Sequence, residues 1–197
     1  SGTGTLYLHG NVIINENSND VDFRIESNGN ANMFFVDGGN NKIGIGTASP
    51  DTNMHIHKAT AGTVDTNANA QFTIENNDHN AMQFLTPNDK NNIIYFGDVD
   101  DNDVGYINYA HSTNTMNFQT NTAVRMSIDA SGNVGIGIDS PDNTVHIFKG
   151  DAGSVSGTDG ATTPLVIENN NHNFIQFLNP SDKQAGLYFG SPSENYY

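Results

Sequence analysis

The sequence predicts an all-β fold built from short strands, and three features support this class. Asn is the commonest of the 197 residues, and no stretch longer than about ten residues lacks Asn, Gly and Pro, so long helices are excluded. Apolar residues alternate with polar ones, as they do along strands. The chain also repeats a long segment of its own sequence. A helical bundle or a doubly wound α/β fold does not fit these features.

The alternation locates the strands. Apolar and polar residues alternate along Met116–Gln119 and Val124–Ile128, and Ile alternates with Gly along Ile43–Gly46. Residues typical of turns separate such segments, at Asn28-Gly29, Asp37-Gly38-Gly39 and Ser131-Gly132-Asn133. The sequence therefore predicts many short strands joined by tight turns.

The internal repeat has two long matches. NKIGIGTASPDTNMHIHK (Asn41–Lys58) returns 91 residues later as GNVGIGIDSPDNTVHIFK (Gly132–Lys149). IENNDHNAMQFL (Ile74–Leu85) returns 93 residues later as IENNNHNFIQFL (Ile167–Leu178). The two residues gained between these matches indicate a loop whose length differs between the copies.

Weaker matches extend the repeat in both directions. IIYFG at Ile93–Gly97 corresponds to GLYFG at Gly186–Gly190, and Asn32–Gly46 parallels Val124–Gly137. Because the chain starts at Ser1 and stops inside its own repeat, we expect it to be a piece of a longer repetitive protein. We divide it into a partial N-terminal β repeat over 1–42, a full repeat over 43–133, and a second, truncated repeat over 134–197.

Composition limits the partners. The formal net charge of −15 disfavours nucleic acid and anionic membrane surfaces. No apolar stretch approaches the roughly 18 residues that span a bilayer, and the absence of Cys excludes a disulfide framework. Hydrophobic residues make up 35% of the chain, which is little for a monomeric sandwich. We therefore expect a homo-oligomer with a shared core, supplied by Met116, Phe118, Met126 and Ile128.

One ordered string of motifs resembles a known family. GNVGIGxxSPxxxxHI, preceded by YFGD, GYINYAHSTNTMNFQT and VRMSID, is similar to the repeat of bacteriophage tail fibres and tailspikes, over most of Tyr95–Lys149. The resemblance implies an elongated, intertwined homotrimeric shaft of the β-prism or β-helix-like kind. It also implies an extracellular location, in the tail fibre of a virion. It implies other tail or fibre proteins as partners, and a host-cell glycan or receptor that the fibre tip contacts. In that family the repeat often precedes a self-cleaving chaperone domain, of which this sequence has no recognisable segment.

We therefore expect a structural, non-enzymatic shaft or adhesion module that supports host attachment. A carbohydrate-binding or carbohydrate-cleaving tailspike domain is one alternative, and it would use Tyr95, Tyr106, Tyr109 and nearby acids. A repeat of a bacterial surface adhesin or filament is another alternative, since similar repeats occur there.

The glycines of the repeat suggest an architectural role. Gly44, Gly46, Gly135 and Gly137 remove side chains from a strand, so another backbone or ring can approach closely, as around a crowded axis. Pro50 and Pro141 are expected to end the strands. A phosphate-binding loop would need a helix after the glycines, and Pro followed by Asp and Asn does not supply one.

Two clusters are candidate cation sites. His55 and His57 share one face of a predicted strand, and in a trimer six imidazoles could hold a transition metal on the axis. Fibre tips of the resembled family carry His-x-His metal sites, but the second copy has Phe148 in place of His57, which favours a packing role. The acids of Asp98–Asp103 suggest calcium, but they lack the EF-hand Gly and Glu, so a solvated hairpin tip fits better. We assign no metal-binding and no cofactor-binding residue.

No catalytic residue is assigned either. Ser, His and Asp are present, but no nucleophile-elbow motif or paired-carboxylate motif organises them. His79 and His172 share the context IENNxHN, and this repetition favours a structural role.

Overall fold

A computed structural model describes residues 4, 9–10, 14, 19–63, 65–153, 163–180 and 182–187. The predicted all-β class is confirmed, since these residues form strands and no helix. The chain divides into two compact units, Ser1–Gln83 and Phe84–Tyr197. The strands are β1 (Phe23–Ile25), β2 (Phe34–Asp37), β3 (Lys42–Ile45), β4 (Met54–His57), β5 (Phe72–Glu75), β6 (Asn91–Phe96), β7 (Gly105–Ala110), β8 (Thr115–Thr120), β9 (Ala123–Ile128), β10 (Val134–Ile136), β11 (Val145–Phe148) and β12 (Leu165–Glu168).

The first unit is one five-stranded mixed sheet in the order β1-β2-β3-β4-β5. Its first three strands are antiparallel, and β3, β4 and β5 are parallel. Parallel neighbours cannot be joined by a tight turn, so a crossover loop must carry the chain back from one end of the sheet to the other. Here the crossovers run through residues 46–53 and 58–71 and contain no helix in their described part.

The second unit is a seven-stranded sheet in the order β12-β11-β10-β9-β8-β7-β6. Strands β6 to β10 are antiparallel, and β10, β11 and β12 are parallel. Its strands β9 to β12 therefore reproduce the pairing of β2 to β5, so the sequence repeat is also a repeat of topology. The division at 42/43 and 133/134 concerns sequence units and stays a prediction, whereas the two compact units separate after Gln83.

One face of each sheet is apolar, and we call it the apolar face. Paired residues lie on the same face, so the register shows which side chains share it. In the first unit these are Phe23, Ile25, Phe34, Val36, Ile43, Ile45, Met54, Ile56, Phe72 and Ile74. In the second unit they are Ile94, Phe96, Ile107, Tyr109, Met116, Phe118, Met126, Ile128, Val134, Ile136, Val145, Ile147, Leu165 and Ile167.

The opposite face carries the crossovers, and we call it the crossover face. Gly44 and Gly135 lie on it, and a Cβ added there would stand 2.2 Å from the carbonyl oxygen of Thr47 and 2.3 Å from that of Ile138. The crossovers thus lie directly on the sheet. Phe35, also on this face, is the only buried hydrophobic side chain of the described residues, proline aside, and is 7% exposed.

No described strand packs across the apolar face of its own sheet. Within each unit, described strands contact only their hydrogen-bonded neighbours. Large side chains of this face are accordingly exposed, among them Phe96 (55%), Leu165 (51%) and Phe72 (46%). A stable domain ordinarily has two packed layers around a core, and each of these sheets is a single layer with loops on one side.

The repeat glycines and prolines have different roles from each other. Close approach at Gly44 and Gly135 is confirmed, and the approaching backbone is the chain's own crossover. The prediction that Pro50 and Pro141 end the strands is wrong. Strands β3 and β10 end at Ile45 and Ile136, and both prolines are buried in the crossovers five residues later.

The strands end instead at glycines with positive φ. Gly46 has φ 85° and Gly137 has φ 80°, a region that L-residues rarely adopt. A Cβ at Gly46 would lie 2.1 Å from the carbonyl oxygen of His57, and one at Gly137 would lie 2.2 Å from that of Phe148. Each glycine therefore lets the chain turn out of the sheet while its backbone stays in contact with the end of the neighbouring parallel strand.

We expect Gly46→Ala and Gly137→Ala each to destabilise the protein by more than about 2 kcal/mol, since conformational strain adds to a clash with backbone. Gly132→Ala is the matched control, because Gly132 has φ 86° but open space around its Cβ position. The control should cost only about 1 kcal/mol. Thermal unfolding at fixed protein concentration measures the difference, and equal losses for all three variants would contradict the clash.

Candidate functional site

The most organised polar site is a buried histidine paired with a glutamate, and it occurs once in each repeat. His55 on β4 is 1% exposed, and its Nε2 lies 3.1 Å from Oε2 of Glu75 on β5. His146 on β11 is also 1% exposed, and its Nε2 lies 3.1 Å from Oε2 of Glu168 on β12. Histidine and glutamate alike project from the crossover face of neighbouring parallel strands.

Each glutamate also holds the loop that leads into its strand. Glu75 Oε1 accepts a hydrogen bond from the backbone N–H of Ala61 at 2.6 Å, and Glu168 Oε1 accepts one from Ala152 at 2.7 Å. The Ala61 N–H lowers the pKa of the Glu75 carboxyl, with smaller contributions from the Thr60 hydroxyl and the nearby histidines. The pair thus joins the central strand, the edge strand and the second crossover.

Hydrogen bonding sets the proton position on the His55 ring. The backbone N–H of Asp51 donates to Nδ1 at 3.3 Å, so Nδ1 is an acceptor and the neutral ring carries its proton on Nε2, facing Glu75. The 3.1 Å contact between His55 Nε2 and Glu75 Oε2 lacks hydrogen-bond geometry and is electrostatic, whereas the equivalent contact of His146 is a hydrogen bond. The two pairs share their residue types and their distance and differ in this geometry.

A cleft lined by carboxylates opens beside each pair. The first has a volume of about 270 Å³ and is lined by Asp51, Asp65 and Glu75 among others. The second has a volume of about 440 Å³ and is lined by Asp142, Asp151, Glu168 and His146 among others. Both clefts are negative, so they suit cations or hydroxyl-rich ligands better than anions.

Asp51, His55 and Glu75 come close enough to be considered as metal ligands, with donor atoms within 4.8 Å of one another. Their arrangement is unsuited to that role. Asp51 Oδ2 lies 3.7 Å from Nδ1, while Glu75 lies at Nε2, so the carboxylates flank the ring instead of converging on one lone pair. Nδ1 also accepts the Asp51 N–H, which leaves no lone pair for a metal on the neutral ring.

The hypothesis of an axial His-x-His metal site meets a further obstacle. His55 and His57 do lie on one face of β4, with their rings 5.6 Å apart and perpendicular. His55 is enclosed by its own chain, however, and the neighbouring Glu75 Oε2 lies 3.7 Å from His57 Nε2. The two imidazoles therefore lie on the crossover face of their own repeat, where His55 is closed to outside contact.

The Asp98–Asp103 segment forms the loop of the β6–β7 hairpin, as the hairpin-tip interpretation predicted. Asp98 Oδ1 accepts the N–H groups of Asp100 and Asp101, both at 2.9 Å, and these bonds lower the pKa of Asp98. A hydrogen bond with the Asp101 side chain raises the pKa of Asp103. The carboxylates are thus engaged with their own loop. The corresponding loop of the second repeat, Gly190–Tyr197, lies outside the described residues.

The tyrosines proposed for carbohydrate recognition are not brought together. Tyr95 and Tyr106 are cross-strand neighbours on the crossover face, with perpendicular rings 6.4 Å apart. Tyr109 lies on the apolar face, where its hydroxyl donates to Asn114 Oδ1 at 3.1 Å. This arrangement lacks the coplanar aromatic platform that stacks on sugar rings.

The IENNxHN motif forms a pair of asparagine clamps in each repeat. Asn76 Nδ2 donates to the carbonyl oxygen of His79, and Asn80 Nδ2 donates to that of Ile74. The same two bonds recur at Asn169 and Asn173. The His79 side chain itself is fully exposed. The structural role predicted for the motif belongs to its asparagines.

Sequence reasoning missed the glutamates of the buried pairs. The sequence did contain a signal for them, since both copies of the repeat hold the same histidine and glutamate: His55 with Glu75, and His146 with Glu168. It also missed a row of polar side chains across the crossover face of the second sheet, in which Asn108, Asn117, Ser127 and His146 each have an atom without a hydrogen-bond partner in the described chain.

Comparisons with known families and with curated proteins give no match. No model of a known protein family matches the sequence, and no curated protein is significantly similar to it. None of the described residues belongs to a helix with the length and apolarity that crossing a membrane requires.

We expect His55→Ala and His146→Ala each to cost about 2–4 kcal/mol, because each removes a fully buried ring and leaves a carboxylate without its partner. His79→Ala is the control, since that ring is fully exposed and should contribute nothing measurable. Thermal unfolding of the three variants checks this. Loss of stability in the control, or none in His55→Ala, would contradict the structural role of the pair.

Glu75 should make the stability of the protein depend on pH in the acidic range. Its folded-state pKa lies below the ordinary value of 4.5, so its contribution is complete above about pH 4.5 and is lost as the pH falls through the lower folded value. Glu75→Gln should therefore reduce the loss of thermal stability between pH 6 and pH 3. An unchanged pH profile in the variant would show that Glu75 does not carry this dependence.

Proposed function

We propose that the chain is a structural shaft or adhesion module of a bacteriophage tail fibre. In this proposal the chain is homotrimeric and non-enzymatic. It is extracellular, as part of the virion's tail fibre, and it supports host attachment. Its partners are other copies of itself, other tail or fibre proteins, and a host-cell glycan or receptor that the fibre tip contacts. The observation that carries the proposal is the pair of single-layer sheets with one bare apolar face each.

The number of apolar side chains fits an interface. Ten residues of the first sheet and fourteen of the second share the apolar faces. Stable protein–protein interfaces use about 20–30 residues on each side. A soluble protein rarely leaves so many neighbouring apolar side chains in water, since each fully buried one contributes about 1.5–3 kcal/mol.

Charge favours further copies of the same chain as the partner. None of these apolar-face side chains is ionisable at neutral pH, although the chain carries a net charge of −15. Copies that meet through these faces keep their acidic groups on the crossover faces and in loops, where water screens the repulsion. The trimeric state and the virion location rest on the resemblance of the repeat to tail-fibre sequences.

The alternatives make different demands on the structure. A carbohydrate-binding or carbohydrate-cleaving domain would use the acid-lined clefts, but Tyr95, Tyr106 and Tyr109 do not support a shared stacking surface there. A bacterial surface adhesin or filament would use the same apolar faces as a tail fibre. Binding of glycans to the assembled protein, weakened by replacing the acids of either cleft, would favour the carbohydrate-binding alternative.

Sedimentation of the purified chain tests the assembly. We expect a trimer of about 64 kDa, three times the 21.2 kDa of one chain, with a high frictional ratio. Its mass should not change with chelator, because the His55 ring is buried and its Nδ1 accepts the Asp51 N–H. A compact 21.2 kDa monomer would contradict the proposal.

Charges placed on the apolar face should prevent assembly. Ile136→Glu and Ile147→Glu introduce a carboxylate at the centre of the expected interface, and each should shift the trimer to monomer by at least tenfold in dissociation constant. Thr144→Glu is the matched control, because Thr144 is exposed in the nearby crossover. Circular dichroism verifies that monomeric variants keep their strands, and unimpaired trimers of both apolar-face variants would contradict this interface.

A further inference from the structure

The loop between β1 and β2 contains Asn28-Gly29, the only Asn-Gly dipeptide of the chain. Both residues are exposed, and Ser27 and Asn30 close a turn around them. The Ser27 N–H donates to the Asn30 carbonyl oxygen at 2.8 Å, and the Asn30 N–H donates to Ser27 Oγ at 3.1 Å. The dipeptide therefore lies at the tip of a small closed turn that water can reach.

Asparagine followed by glycine can react with its own backbone. The side-chain carbonyl carbon of asparagine lies within reach of the backbone nitrogen of the next residue, and a bond between these two atoms closes a ring. A side chain on that next residue hinders the approach, and glycine has none. Such chemistry is one reason why asparagine is a heat-labile residue.

Nothing in the described chain restrains the two reacting groups. Neither the Asn28 carboxamide nor the Gly29 N–H has a hydrogen-bond partner among the described residues. A Cβ added at Gly29 would meet no atom within 4 Å, so open space surrounds the nitrogen. The carboxamide can therefore rotate toward the nitrogen without breaking a contact.

The corresponding turn of the second unit provides an internal control. Asn121-Thr122 joins β8 to β9, as Asn28-Gly29 lies between β1 and β2, and both of its residues are exposed as well. The Thr122 N–H, however, donates to the Val104 carbonyl oxygen at 3.0 Å. The branched Thr122 side chain also crowds its backbone nitrogen. Exposure is therefore shared by the two turns, whereas a free and unhindered nitrogen is present in the first alone.

We propose that Asn28 is a site of spontaneous covalent modification, where asparagine becomes aspartate or isoaspartate. The Gly29 nitrogen bonds to the side-chain carbonyl carbon of Asn28, and the carboxamide C–N bond breaks. Ammonia leaves with the proton of the Gly29 N–H, and a succinimide ring remains. Water then opens the ring at either carbonyl carbon, so each product carries one new negative charge.

Isoaspartate changes the turn as well as its charge. Its main chain runs through Cβ, so the segment between Ser27 and Asn30 becomes longer by one backbone carbon. The same loop reaches the end of β3, because the Asn32 carbonyl oxygen accepts the Gly46 N–H at 2.8 Å. We therefore expect the Gly46 amide to exchange with deuterium faster in chains that contain isoaspartate.

Mass spectrometry of the native protein after incubation at mildly alkaline pH tests the site. Denaturation and trypsin digestion then yield Ile25–Lys42, which contains Asn28, and Asn91–Arg125, which contains Asn121. Asn28 should convert at least tenfold faster than Asn121, with both aspartate and isoaspartate among its products. A ratio below tenfold would overturn the proposal, and so would aspartate alone, because direct hydrolysis of the carboxamide forms no isoaspartate.

Gly29→Ala is the matched variant. The open space around Gly29 accommodates the added Cβ, so the fold should not change, and circular dichroism verifies this. Conversion of Asn28 should be at least tenfold slower in the variant, since its nitrogen is hindered. A variant that converts as fast as the unaltered protein would contradict attack by the Gly29 nitrogen. Both experiments measure chemistry within one chain, so their outcome is independent of the proposed shaft.

Discussion

Both sheets depend on crossovers that stay on one face. A parallel strand must be reached by a loop that returns along the sheet, and in each repeat two such loops lie on the same side. Gly44 and Gly135 let the first loop touch the strands, and the His–Glu pairs hold the second. With these loops fixed on one side, no described strand covers the apolar face, which can contact another molecule.

This arrangement explains why so much polarity is buried and so little apolar surface. His55, His146, Ser127 and Asn108 are buried on the crossover face, whereas Phe35 is the one buried hydrophobic side chain of the described residues, proline aside. A monomer organised in this way lacks the core that ordinarily offsets the entropy of folding. Assembly would supply that core, so oligomerisation adds to the stability of the fold in our account.

The sequence predicted the features that depend on local pattern. Period-two alternation identified β8 and β9, the mismatch with an EF-hand favoured a hairpin tip at Asp98–Asp103, and self-comparison identified the repeat. It did not predict the parallel order of β3, β4 and β5, because an alternating strand looks the same whichever neighbour it joins. It also missed the pairing of His55 with Glu75, since the crossover over residues 58–71 separates their strands in sequence and only the parallel pairing brings them together.

A reconstruction of the assembled particle by electron cryomicroscopy tests the central claim most directly. Our account requires the apolar faces of neighbouring copies to meet in the particle interior, with Ile107, Met126 and Ile136 at the contact and the crossover faces toward solvent. A map in which the apolar faces point to solvent, or in which the crossover faces form the contact, would contradict it.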